Sequence, residues 1–122
     1  MSESTIREFK ERREKLNDIV MKYAGTTIKR FYNLDTNAYR EGILDRKTKE
    51  LLGLVASFVL RCDDCIIYHL DRCSEEGVTT RELEEALSIG LLVGGTITIP
   101  HLRRAFKTWD DMQQGQDTAG EK

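Results

Sequence analysis

Cys62-Asp63-Asp64-Cys65, followed by an imidazole at His69, packs more chemistry into less chain than any other stretch of the sequence. Two thiols separated by two residues can close a small disulfide or share a metal. His69 lies four positions after Cys65. It reaches that sulfur only if the segment is helical, because side chains at i and i+4 then stand one above the other.

Three readings of Cys62, Cys65, His69 and Cys73 compete. Three cysteines and a histidine form a legitimate zinc ligand set. On one helix rising about 1.5 Å per residue, however, Cys62 and Cys73 stand about 16 Å apart, too far to meet one ion. Neither a metal nor a cofactor is expected. In the second reading the cysteines are small buried hydrophobes and His69 is a satisfied core histidine; Cys73 fits that description well. The third is redox or peroxide chemistry, and Glu50 favours it. If helices of about 46–60 and 63–76 form an antiparallel hairpin bending near Arg61, Glu50 and His69 should face each other. A line Glu50–His69–Cys65 is then available, with the carboxylate orienting the imidazole, the imidazole accepting the thiol proton and the thiolate attacking. Cys62 could resolve the product as a disulfide. The helix N-terminus lowers the thiol pKa, whereas Asp63 and Asp64 raise it.

The elements that must hold these residues read as helices throughout, so the fold class is all-α. A first amphipathic helix spans about 4–24, with Ile6, Phe9, Leu16, Ile19, Val20 and Tyr23 on one side, and ends at Gly25. A short helical piece over Thr27–Tyr32 precedes an irregular connection, Asn33–Gly42, that carries Tyr39. Asp45 suits an N-cap for the helix of about 46–60, which is apolar on most sides and therefore central. Asp63 and Asp64 suit the first turn of the next, which stops at Gly77. Thr79-x-x-Glu82 is a capping box for a helix of about 80–93 reaching Gly94-Gly95. Pro100 suits an N1 position opening a last helix of about 100–113 that contains Trp109. One helical domain, 1–113, is expected, followed by a disordered tail over 114–122.

Composition narrows the function classes. A formal net charge of −2 gives no electrostatic footprint for nucleic acid or an anionic membrane. Residues 1–24 lack a signal peptide's apolar centre, and the longest apolar run, Leu51 to Leu60, is about half a spanning length. A soluble, cytoplasmic protein is expected. Three cysteines, an odd count, argue against a structural disulfide framework, so any disulfide should be transient.

The spacing Glu50-x11-Cys62-x2-Cys65-x3-His69 resembles the signature of the alkylhydroperoxidase D-like proteins within the carboxymuconolactone decarboxylase family. The resemblance covers about 25–110 and includes the run Leu44 to Leu51, the stretch Gly77 to Ala86, and Gly94-Gly95. It implies an all-helical, homo-oligomeric protein, a trimer or hexamer. It also implies that Cys65 is the peroxide-attacking thiol, Cys62 the resolving and partner-exchanging one, and Glu50 and His69 the proton relay. Where members of the family often carry His or Ser before the second cysteine, this chain has Asp64. The lactone decarboxylases of the family do not rely on a Cys-x-x-Cys pair, so the pair points away from that reaction.

The expected function is therefore a thiol-dependent peroxidase or disulfide reductase, whose partners are a peroxide and a reducing dithiol protein or peroxiredoxin. The alternatives are a lactone decarboxylase using His69 or His101 as acid/base, and a non-enzymatic oligomeric binding domain. His101, followed by Arg103-Arg104, could line a pocket for an anionic substrate, or could simply be a polar helix-start residue beside a solvated arginine pair.

Overall fold

The computed structural model describes residues 2–120, with side chains from 6 to 115. Six α-helices follow in order: α1 (Ser2–Tyr23), α2 (Thr26–Ala38), α3 (Arg46–Val59), α4 (Asp63–Glu75), α5 (Thr80–Gly94) and α6 (Ile99–Gly120), the last entered through a 3-10 turn at Thr96–Thr98. Among the described residues there is no strand. α3 and α4 form a hairpin, α5 packs on α3, and α6 packs on both α4 and α1. Between them lies a core centred on Leu54, Phe58, Leu70, Leu83, Leu87 and Trp109. Full burial of each such side chain contributes about 1.5–3 kcal/mol.

The helix starts are set by short polar side chains. Asp45 accepts the Thr48 N–H at 2.8 Å, and hydrogen bonds from Thr48 hold its carboxyl below its ordinary value. At α5 the capping box is complete: Thr79 Oγ1 accepts the Glu82 N–H at 3.1 Å, and the Glu82 carboxylate accepts the Thr79 N–H at 2.9 Å. Both caps occupy orphan donors of a first turn.

The turn into α4 is the unusual one. At the end of α3 the Arg61 N–H donates to Phe58 O at 3.0 Å and the Cys62 N–H to Ser57 O at 3.1 Å. This pair of bonds is the Schellman arrangement, which requires a left-handed residue. Arg61 supplies it with φ 63°, a conformation that strains a side chain with a Cβ. The end of α4 uses the same pattern, Gly77 N–H to Ser74 O at 3.2 Å and Val78 N–H to Cys73 O at 3.0 Å, with glycine at the φ 82° position. The Arg61 turn delivers Cys62 directly as the N-cap of α4.

Two helices depart from what was expected. α2 continues to Ala38 where an irregular connection from Asn33 was expected. Its Asn, Asp and Thr residues are weak helix formers, but Asn37 Nδ2 donates to Asn33 Oδ1 one turn back at 2.9 Å. Lys49 Nζ closes the far end on Ala38 O at 2.9 Å and Arg40 O at 2.7 Å, a cation at a helix C-terminus. α6 starts one residue before Pro100, so the proline sits second in the helix, and it runs to Gly120 rather than ending near 113. Residues 121–122 of the expected tail lie outside the described residues. The apolar stripe of α1 is covered only in part: Phe9 is buried, while Leu16, Ile19 and Tyr23 are exposed. α2 likewise buries no side chain.

Replacing Arg61 with glycine should stabilise the fold by about 0.5–1 kcal/mol, since relief of the left-handed strain outweighs the added freedom of the unfolded chain. Urea denaturation checks it; an unchanged or lower midpoint would show the turn to be unstrained.

Candidate functional site

Glu50 is the fifth residue of α3, on the face turned toward α4, and His69 stands halfway along α4. Both are buried. Glu50 Oε1 lies 2.9 Å from His69 Nδ1, while Arg72 Nε stands 3.9 Å from Glu50 Oε2. A buried carboxylate is costly unless its oxygens are paired, and these two partners supply the pairing. With the carboxylate ionised, Nδ1 must carry the proton it donates, and the lone pair of the neutral imidazole is therefore on Nε2. That nitrogen faces the Tyr39 hydroxyl at 3.5 Å.

Gly53 makes this approach possible. It lies one turn after Glu50 on the same face of α3, and a Cβ there would come within 2.7 Å of both His69 Cε1 and the Tyr39 hydroxyl.

Cys62 and Cys65 are joined as a disulfide. Cys62 caps α4, and its sulfur accepts the Cys65 N–H at 3.3 Å, placing sulfur at the helix N-terminus where anions are favoured. Cys65 is exposed and lines a groove of about 680 Å³ together with His69, Tyr39, Ser57, Asp64 and Tyr68; Arg12, Arg13, Asn17 and Asp35 and the apolar side chains of Phe9, Leu16, Phe31 and Leu60 complete it. Cys73 is a different kind of thiol. It is free and wholly buried, and desolvation, reinforced by the Glu50 and Glu76 carboxylates, pushes it up to about 12.

The structure thus brings Glu50 and His69 into contact and puts His69 and Cys65 on one groove, with Cys62 bonded to Cys65 at its edge. It does not gather the His101 cluster there. His101 Nδ1 meets Asp63 Oδ1 at 2.7 Å and Arg104 Nε meets Asp63 Oδ2 at 3.0 Å, so both are engaged away from the groove. Of the two acidic residues between the cysteines, Asp63 is paired in this way and Asp64 faces the groove.

The family model described as "Carboxymuconolactone decarboxylase family" matches residues 26–108. The chain belongs to the carboxymuconolactone decarboxylase family. Two crystal structures of a Thermotoga maritima protein are 53% identical to it, with TM-scores of 0.90 and 0.88 over 92% of this chain and 98% and 95% of those chains. One of them is described as a family member with a suggested involvement in antioxidative response. A Legionella pneumophila member shares the fold, with a TM-score of 0.79 at 22% identity over 88% of this chain and 96% of that one. Uncharacterized protein 4 in the cox locus of Paracoccus denitrificans is 27% identical over 67% of this chain and 74% of its own length.

Three residues of this family member's site escape a reading of the sequence. Tyr39 arrives from the end of α2, 30 positions before His69, and no local pattern announces it. Arg72 looks like an ordinary surface cation of α4. Gly53 did carry a signal, a lone glycine inside an apolar helix three residues after Glu50, which marks close approach of another group.

Gly53→Ala should displace His69 and Tyr39 together. The added methyl gains about 1 kcal/mol of helix propensity and loses about 1–3 to overpacking, so a net loss of about 1 kcal/mol is expected in thermal unfolding, with a shifted His69 ring resonance. An unmoved His69 resonance would show that the helices part without disturbing the site.

Proposed function

We propose that this protein is a thiol-dependent peroxidase, regenerated by a reducing dithiol protein or a peroxiredoxin partner. One observation carries the reading: exposed Cys65 opens onto the groove that also holds His69, whose imidazole is fixed by the buried Glu50 carboxylate. Membership of a family that includes enzymes, and the antioxidative role suggested for the Thermotoga maritima relative, support it.

In the reduced protein His69 takes the Cys65 proton, and Glu50 stabilises the resulting imidazolium. The thiolate attacks a peroxide ROOH: an S–O bond forms, the O–O bond breaks, and the departing RO⁻ collects the proton from His69 as ROH. Cys65 is oxidised to the sulfenic acid, the peroxide reduced to an alcohol. The Cys62 thiol then attacks that sulfur, expelling water and closing the Cys62–Cys65 bond. A partner dithiol reduces the bond by thiol–disulfide exchange and is itself oxidised. A reducing compartment such as the cytoplasm suits a bond that must reopen at every turnover. No helix among the described residues is long and apolar enough to cross a membrane.

The working form we propose is a homo-oligomer, a trimer or hexamer. Ile28, Phe31 and Leu34 repeat at helical spacing on α2 and are exposed, as are Leu16, Ile19 and Tyr23 on α1. A helix of 13 residues that buries nothing is marginal in water, and a second copy would cover it.

Treating the reduced protein with one equivalent of hydroperoxide should consume two thiols per chain, bridging Cys62 to Cys65 and leaving Cys73 free. Glu50→Gln and His69→Ala should each slow this by about 10²–10⁴-fold, and the double variant by little more than either, since both serve one relay. A Cys65–Cys73 bridge, or losses that multiply, would refute the assignment. In light scattering, a stable active monomer at micromolar concentration would refute the oligomer.

A further inference from the structure

Lys49 brackets Tyr39. Its ammonium holds the carbonyls of Ala38 and Arg40, the residues on either side, at 2.9 and 2.7 Å, fastening the end of α2 to α3. The Tyr39 ring is thereby set 5.4 Å from the His69 ring, centroid to centroid, with its hydroxyl 3.5 Å from Nε2. Gly53 leaves room for both groups. Lys49 and Gly53 of α3 therefore both serve one contact, between the phenol at the end of α2 and Nε2 of the site imidazole on α4.

That nitrogen is the one the thiol proton must reach. Glu50 occupies Nδ1, and the hydroxyl stands at Nε2 in the groove that Cys65 also lines. Resting on the peroxidase reading above, we infer that Tyr39 is a relay residue, through which His69 exchanges protons with Cys65 and with the departing alkoxide. The Cys65 S–H proton passes to the Tyr39 oxygen as the phenol's own proton passes to Nε2, leaving a thiolate, a neutral phenol and an imidazolium. After the O–O bond breaks, the phenol protonates RO⁻ and recovers its proton from Nε2. No atom or charge is left over. Burial, with the carboxylates of Asp35 and Glu50 and the phenol of Tyr68, raises Tyr39 above its ordinary value of 10.0, so the hydroxyl keeps its proton at neutral pH.

Tyr39→Phe keeps the ring and removes the hydroxyl. The charged and titratable groups around the pair are Glu50 and Lys49 from α3, Asp35 from α2, Asp64, Tyr68 and Arg72 from α4, and Arg12 and Arg13 from α1, all retained in this variant. Two rates are measured on the reduced protein from pH 5 to 10: alkylation of Cys65 by iodoacetamide, located by mass spectrometry, and thiol loss with cumene hydroperoxide.

The expected result is an alkylation profile moved to higher pH and a peroxide rate about 10²-fold lower at pH 7, with an unchanged melting temperature. An unmoved profile, or faster alkylation because the freed Nε2 serves the thiol directly, overturns the relay. If the profile moves but neither protein consumes peroxide, the peroxidase reading fails while the relay stands. Should Tyr39→Phe not fold, 3-fluorotyrosine at position 39 lowers the phenol's pKa with little change of shape; it must move the same profile, and an unmoved one overturns the relay.

Discussion

The hydrogen bond from His69 to Glu50 across the α3–α4 hairpin is the contact around which the molecule is arranged. It couples packing to chemistry, because a carboxylate this deeply buried would cost several kcal/mol without a partner. The phase of α3 that turns Glu50 inward is fixed by the Asp45 cap, and the register of α4 by the Arg61 turn that makes Cys62 its first capping residue. Gly53 keeps α3 narrow where the imidazole must lie. Each of these local features would be unremarkable alone. Together they point a single nitrogen into a groove.

Burial separates the three cysteines into two classes. Cys65 sits at a helix start, exposed, with its sulfur bonded to Cys62. Cys73 lies in the core, where burial, and after it the Glu50 and Glu76 carboxylates, push its thiol up to about 12. A thiol in that state is a packing group, since only the thiolate is a nucleophile. Burial thus silences one sulfur, with Glu50 adding to it, while the same carboxylate orients the imidazole beside the other pair.

Much of this was legible in the residues. The all-α class, the Asp45 and Thr79 caps and the stop at Gly77 follow from side chains that act within a turn or two of their own position, and the facing of Glu50 and His69 follows from the hairpin that the two helices form. What was not legible acts over distance. Lys49 extends α2 by reaching its carbonyls from another helix, and Tyr39 gains its neighbour only through that clamp. His101 could be placed at a helix start but not on Asp63, a partner 38 positions away. The apolar stripe of α1 was correctly drawn as a stripe, yet periodicity says nothing of how far along it the rest of the chain extends.

The chemistry proposed for Cys65 requires His69 to hold its proton on Nδ1 and present Nε2 bare. The ring nitrogen shifts of neutral His69 in the reduced protein, read by ¹⁵N NMR, report that tautomer directly. The expected result is a protonated Nδ1 and an unprotonated Nε2, a preference that weakens in Glu50→Gln. A neutral imidazole carrying its proton on Nε2 would contradict the arrangement at its centre, and with it the relay to Cys65.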